Sequence, residues 1–459
     1  MRVGVIGAGI VGVCVARELS KYDVEVHVFD PNPDVGWGVS KANTGIIHAC
    51  YDDDPDRFPV RARTCVKGNR MWRSLVEELK IPHSWSGSMV VGDEDDLPKL
   101  RELLRRGVRN GVPELRIVKA KLLEPMVKAE YALYAPTAGQ ISPPQAVIAI
   151  AENASRNGVR FNLETRVLNL KVRSGEVAEV VTDKGEVKVD AVVNAAGLKA
   201  DEVAKMVGLD LEISPRKGEY LIFDEDSGPK PSHVIFPVPT EKSKGVVVTT
   251  EVSGHLMIGP NARDVEDKDD VATSLEGLRE VYEKASRIWP LPPVSKVIRS
   301  FAGLRPEPRG GDFIVGRTRV QGFYNAAGMR SPGLTAAPAV GREIAEMIAQ
   351  DYGLREKEDW KPGRPEPRGG GKVVCRCNLV REGTIRDAIE RMLSLGVRTP
   401  SVDSVKFRTS ATAGTCQGSF CRVHIARMLA EAYKVPLWEV TLKGRGSEIG
   451  VGHVKLLVN

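Results

Sequence analysis

The sequence predicts an α/β nucleotide-binding body interleaved with an antiparallel sheet, followed by a small α-rich appendage. Three observations carry this. Residues 3–12 read VGVIGAGIVG, an apolar strand running into a glycine turn. Residues 210–300 hold alternating, turn-punctuated strands. Beyond residue 372, four of the seven cysteines gather in two close pairs.

Composition bounds the rest. At about 150 residues per domain, 459 residues suggest about three domains. With 42% apolar and 27% charged residues, wholesale disorder and fibrous classes are excluded. Lys and Arg number 66 against 60 Asp and Glu, a net charge of +6 with the signs mixed. That indicates neither a nucleic-acid surface nor an acidic tail. No apolar run reaches the ~18 residues of a membrane span, and the chain enters its first strand at Val3 without a signal peptide. The expected location is the cytoplasm, extending to the inner face of the membrane. An odd cysteine count in so long a chain argues against a secreted disulfide scaffold and for a metal or redox site.

The N-terminal turn is Gly7-x-Gly9-x-x-Gly12, followed by a helix (VCVARELSK) and a second strand, 24–29, that ends at Asp30. Strand, glycine turn, helix, strand and acid form the dinucleotide-binding pattern in its required context. Gly7 allows the tight turn, Gly9 lets backbone approach a pyrophosphate, and Gly12 lets helix pack on strand. The helix N-terminus faces the phosphates. Asp30, 18 residues after Gly12, is placed to accept ribose hydroxyls, which disfavours a 2′-phosphate.

Further along, VVNAAG (192–197) reads as a strand ending in small residues, and 322–348 as strand, small-residue turn and helix. The N-terminus of that last helix, near Ser331 to Thr335, suits a site that stabilises a flavin anion. Residues 40–51 (SKANTGIIHACY) form a loop of small polar residues that also holds His48, an imidazole able to take a proton near neutral pH. Helices are expected at NRMWRSLVEELK and EDDLPKLRELLRRG within 70–140. Residues 355–372 are a charged Pro/Gly linker. After it come Cys375-x-Cys377, a helix, a strand-like VDSVKFRT, and Cys416-x4-Cys421, with 38 residues between the pairs. Four thiolates suit one metal centre, zinc being the generic alternative. Cys14, Cys50 and Cys65 are read as packing residues.

Taken together, the glycine turn, Asp30, 40–55, 192–197, KGEY (217–220), FAGLRP (301–306) and 325–341 resemble the FAD-dependent D-amino-acid-oxidase superfamily, in its glycerol-3-phosphate dehydrogenase and L-2-hydroxyglutarate oxidase branch. The tail resembles the bacterioferritin-associated-ferredoxin-like [2Fe–2S] domain. The resemblance implies a Rossmann-like FAD-binding domain with an interleaved substrate domain over 1–354. FAD-binding parts are expected at about 1–80, 140–212 and 300–354, and substrate parts at about 81–139 and 213–299. An iron–sulfur domain follows at 373–459.

It further implies non-covalent FAD held by Gly7, Gly9, Gly12, Asp30, Ser40, Asn43, Thr44, Gly45, Val167, Ala196, Gly197, Gly303, Gly328, Arg330, Ser331, Gly333, Leu334 and Thr335. His48 and Arg305 are the implied catalytic pair, with Arg305 on the substrate anion. Arg330, Lys217 and Tyr220 are weaker candidates for that anion. Cys375, Cys377, Cys416 and Cys421 are the implied cluster ligands. The implied reaction is oxidation of a small anionic 2-hydroxy compound, sn-glycerol 3-phosphate first, with electrons passing through the cluster to a partner protein or quinone. L-2-Hydroxyglutarate, a proline-type amino acid, and a non-catalytic electron-transfer subunit are the alternatives.

Overall fold

The computed structural model describes residues 1–240, 244–450 and 452; the remainder of the expected C-terminal domain, 451 and 453–459, lies outside the described residues. A six-stranded sheet runs in the order Ile314–Arg317, Phe323–Ala327, Ala191–Asn194, Arg2–Ile6, Glu25–Phe29, Arg160–Asn162. All neighbours are parallel except the first pair. Its central strands are apolar on both faces because both faces are covered. On one face lie the helices Ile10–Leu19, Pro143–Arg156 and Gly333–Tyr352. A three-stranded antiparallel sheet over 167–188 and the helix Ala200–Met206 cover the other. Gly341 lets the first and last of those three helices touch, since a Cβ there would come within 2.7 Å of the Cys14 backbone.

A second sheet of nine strands forms the other layer. The strand Val297–Pro308 runs antiparallel along the whole of Ile213–Phe223. The sheet is mostly antiparallel, with one parallel pairing between Val234–Pro237 and Ser88–Gly92. The 70–140 segment contributes three strands to it (Ser88–Gly92, Arg116–Lys119, Tyr131–Ala135) besides the helices Pro59–Glu78 and Leu97–Arg109. Those strands escape a reading for helices because each is only four or five residues long.

Two expectations need correction. VDSVKFRT is a helix, Val402–Thr409. Its β-branched residues suggest a strand, but Val402 and Val405 share one buried face, as do Ser404 and Arg408. That is helical spacing, and packing overrides propensity. Cys50 and Cys65 are not separate packing residues: they form a disulfide, Cα atoms 5.7 Å apart, tying the loop after His48 to the helix Pro59–Glu78. Cys14 is a buried thiol.

The C-terminal helices Glu382–Ser394, Val402–Thr409 and Cys421–Tyr433 share one continuous core with the nucleotide-binding body. The joint also carries buried charge. Arg408 donates to both Asp34 oxygens at 2.5 and 3.0 Å, with both side chains almost fully buried. Arg391 pairs with Glu152 at 2.7 Å, and Thr399 donates to Glu164 at 2.7 Å. Among the described residues, no helix is long and apolar enough to cross a membrane.

Candidate active site

A cavity of about 1510 Å³ lies between the two sheets and reaches the C-terminal helices. One end is the glycine turn. Gly7 has φ +106°, and a Cβ there would lie 2.4 Å from Ala195 O, so the turn needs glycine. At Gly12 a Cβ would come within 1.9 Å of Gly7 O, which is the close helix–strand approach itself. Gly9 caps the helix Ile10–Leu19, and a Cβ there would meet only Ser40 Oγ, at 3.1 Å, so its backbone faces open cavity. Ser40 Oγ accepts from Ile10 N at 2.9 Å, closing the cradle. Asp30 is buried beside it; Oδ2 accepts from Ala8 N and Oδ1 from the backbone and side chain of Asn32. Burial raises its pKa.

These features fit FAD. An open glycine backbone stands at a helix N-terminus, and a buried carboxylate marks the ribose end. Gln140 adds a buried Nε2 with no partner, facing the cavity. Asn43, Thr44, Val167, Ala196, Gly197, Gly303, Ser331, Gly333 and Leu334 also line the space. Gly12, Gly45, Gly328 and Thr335 do not line it; they stand behind the wall and shape it. Gly45 (φ +73°) approaches Ile141 O, and Gly328 (φ +68°) packs on Pro308. Gly303 is another close contact, since a Cβ there would lie 2.0 Å from Ala42 O.

His48 projects into the middle of the cavity. Its backbone N–H donates to Thr335 Oγ1 at 2.9 Å, and Nε2 lies 3.3 Å from Ser331 Oγ. Its ring sits 5.8 Å from that of Phe236. Burial pushes the imidazole pKa down to about 3, and nearby Lys244 pushes the same way. The ring is therefore neutral at pH 7 and able to accept a proton. Cys50, two residues on, is held in its disulfide.

Arg305 lines the same space. Nη2 donates to Asn261 O at 3.2 Å, while Nη1 is buried without a partner. Arg330 is also at the wall but pairs with Glu307 at 2.7 Å. Tyr220 stacks on Phe301 at 4.4 Å and lines the cavity. Lys217 is not brought to the site; it pairs with Asp270 at 2.6 Å outside the lining. Asp52 and Lys244, an ion pair beside His48, escaped the sequence reading. They lie almost two hundred residues apart, Asp52 within the 40–55 segment and Lys244 outside any motif, so the pairing has no local signature.

The four C-terminal cysteines are free thiols on two segments brought together by the fold. Cys375 contacts Cys421, and Cys377 contacts Cys416. The backbone amides of Phe420, Gly418 and Ser419 point at the Cys416 sulfur, and its pKa is lowered, the Phe420 amide being the largest cause. Gly414 packs on Cys377, since a Cβ there would lie 2.4 Å from the cysteine's own. Two thiol pairs suit a centre of two irons, each needing two sulfurs. Asn378 and Gln417, beside Cys377 and Cys416 in sequence, line the far end of the cavity.

Comparison with known proteins agrees with this geometry. The family described as FAD dependent oxidoreductase matches residues 2–347, and the BFD-like [2Fe-2S] binding domain matches 373–431. A glycerol 3-phosphate dehydrogenase of Caloramator mitchellensis is 38% identical over 99% of this chain and 98% of its own. A mitochondrial L-2-hydroxyglutarate dehydrogenase of Arabidopsis thaliana is 28% identical over 75% of this chain and 82% of its own. The structure of L-alpha-glycerophosphate oxidase from Mycoplasma pneumoniae with FAD bound superposes with a TM-score of 0.75 at 27% identity, covering 80% of this chain and 99% of that one. The chain belongs to the FAD-dependent oxidoreductase family and carries FAD together with a C-terminal [2Fe–2S] domain.

Proposed function

We propose that the enzyme oxidises sn-glycerol 3-phosphate to dihydroxyacetone phosphate and passes the electrons through its own cluster to an acceptor protein or quinone. The observation that carries this reading is the 38% identity to a glycerol 3-phosphate dehydrogenase along the full length, cluster domain included. When bound, FAD takes up the hydride and the [2Fe–2S] centre carries the electrons onward.

The chain's own residues do the rest. Gly7, Gly9, Gly12, Asp30 and Ser40 hold the dinucleotide. Arg305 turns its unpartnered Nη1 to the substrate anion, where a guanidinium gives a charge-assisted bond. His48 Nε2 accepts the hydroxyl proton, and Ser331 and Thr335 hold the imidazole in place. Cys375, Cys377, Cys416 and Cys421 ligate the cluster. The expected division at 354 and 373 belongs to the same reading, flavin and substrate chemistry before it and electron exit after it.

An anaerobic titration with glycerol 3-phosphate, followed by absorbance, tests the proposal. Flavin bleaching followed by cluster reduction is expected. A flavin that dithionite reduces but glycerol 3-phosphate does not would overturn the substrate assignment. L-2-Hydroxyglutarate and proline are the next titrants, and inertness to all three favours an electron-transfer subunit.

A further inference from the structure

The far end of the cavity, where the C-terminal helices close over the flavin body, collects positive charge from four separate segments. Lys41 follows the cradle residue Ser40, and Arg299 lies on the long sheet strand. Lys406 lies on the helix Val402–Thr409, and Lys443 on the loop beyond the last helix. All four line the cavity. Two of the ammonium groups crowd one aromatic ring: Lys41 Nζ lies 5.9 Å and Lys406 Nζ 4.6 Å from the centre of Phe407. Lys41 also sits 4.3 Å over Trp37, whose ring meets Phe407 edge-on at 5.5 Å.

The local counter-charge falls short. Asp403 accepts from Lys406 at 2.6 Å, and Glu251 faces Arg299 from the sheet. Arg299 otherwise donates to the neutral Gln417 at 3.3 Å. Among the described residues, four cations thus face two carboxylates, an excess of two charges, and Lys406 is 8% exposed. Burial pushes Lys41 down to about 8, with Lys406, Lys443 and Arg299 adding repulsion. Lys406 is buried, Lys41 and Arg299 are half-buried and Lys443 is exposed, so the excess lies at a partly desolvated joint, where an anion seated among the four would offset their mutual repulsion. A phosphate monoester carries about −1.5 to −2 charges at pH 7, which matches it.

The cradle for the flavin pyrophosphate is a different place. It is built from Gly9, Ile10 N and Ser40 Oγ, whereas the Lys41 side chain turns onto Trp37 and Phe407. None of the four cations belongs to the glycine turn, and three of them come from segments outside the cradle.

We propose that this end of the cavity is a second anion site, which binds a phosphate monoester between the flavin body and the cluster domain and clamps the two together. Because Asn378 and Gln417 border it, the bound anion lies on the cluster side of the flavin. The proposal does not depend on which substrate is oxidised.

Inorganic phosphate is the probe, used on the FAD-loaded enzyme at low salt, with calorimetry and the thermal midpoint as readouts. Phosphate is expected to bind and to raise the midpoint. In Lys406→Gln/Lys443→Gln, affinity is expected to fall at least tenfold with flavin content retained. Lys443→Gln alone, an exposed position, serves if the double variant does not fold, and Lys406→Arg should keep binding. Arg305→Ala is the control for phosphate at the substrate position and should leave this binding in place. Three results would overturn the proposal: no phosphate effect on the wild type, an effect abolished by Arg305→Ala but kept in the lysine variants, or binding confined to FAD-stripped protein. The last would assign the cations to the flavin's own pyrophosphate.

Discussion

His48 is neutral because it is buried and faces Lys244. With its pKa pushed from 6.5 to about 3, its resting form between pH 5 and 8 is the neutral imidazole, with one ring nitrogen open to accept a proton. Flavin reduction should therefore show no acid limb near pH 6.5 from this group. Stopped-flow rates from pH 5 to 8 check this, and a limb near 6.5 that disappears in His48→Asn would contradict it. The stability sign follows from the same shift. Between about 3 and 6.5 the unfolded chain binds this proton more readily than the folded one, so stability falls as pH drops below 6.5. His48→Asn should slow anaerobic flavin reduction by ~10²- to 10⁴-fold, the usual worth of a positioned base, with FAD content unchanged. Arg305→Ala should weaken apparent substrate affinity roughly ten- to hundredfold, as expected from losing a charged hydrogen bond of about 1.5–3 kcal/mol. Initial-rate kinetics against substrate concentration measure that.

At the scale of elements, the site depends on backbones that touch. Gly303 lies against Ala42 O so closely that an added Cβ falls at 2.0 Å. Gly303→Ala should displace the 40–45 loop and lower FAD affinity, read by fluorescence of released flavin. An affinity equal to wild type would show that the loop moves freely. This layer was partly legible in the sequence. The glycine turn and Asp30 carry their geometry in short spacings, so a few residues suffice to read them. Val402–Thr409 misled because β-branched residues occupy a helix whose reason for existing is the surface it packs on. The strands at 88–92, 116–119 and 131–135 were hidden because each is only four or five residues long, and the first also pairs with 234–237, far away in sequence. The Cys50–Cys65 bridge and the Asp52–Lys244 pair beside His48 are tertiary facts with no local signature.

For the molecule as a whole, the cluster domain is part of the body and not a tethered bead. Its core is continuous with that of the nucleotide-binding body, and Arg408 and Asp34 are locked across the joint with almost no exposure. Removing one partner strands the other's charge in the interior. Arg408→Ala should therefore destabilise the protein by about 3–5 kcal/mol, seen as a lowered thermal midpoint and early loss of FAD. Arg408→Met combined with Asp34→Leu should recover much of that loss, because neither charge is then buried. A single variant as stable as wild type would show that water reaches the pair.

The segment 365–371 is exposed along its whole length, while the domains it joins are held by the Arg408–Asp34 pair and a common core. Cutting the chain there is expected to leave the assembled molecule intact. A protease that nicks this stretch should yield two bands on a denaturing gel and one peak, still bearing flavin and cluster, on a sizing column. The cut halves then stay together through their shared core and the buried Arg408–Asp34 pair, as two subunits of a complex do.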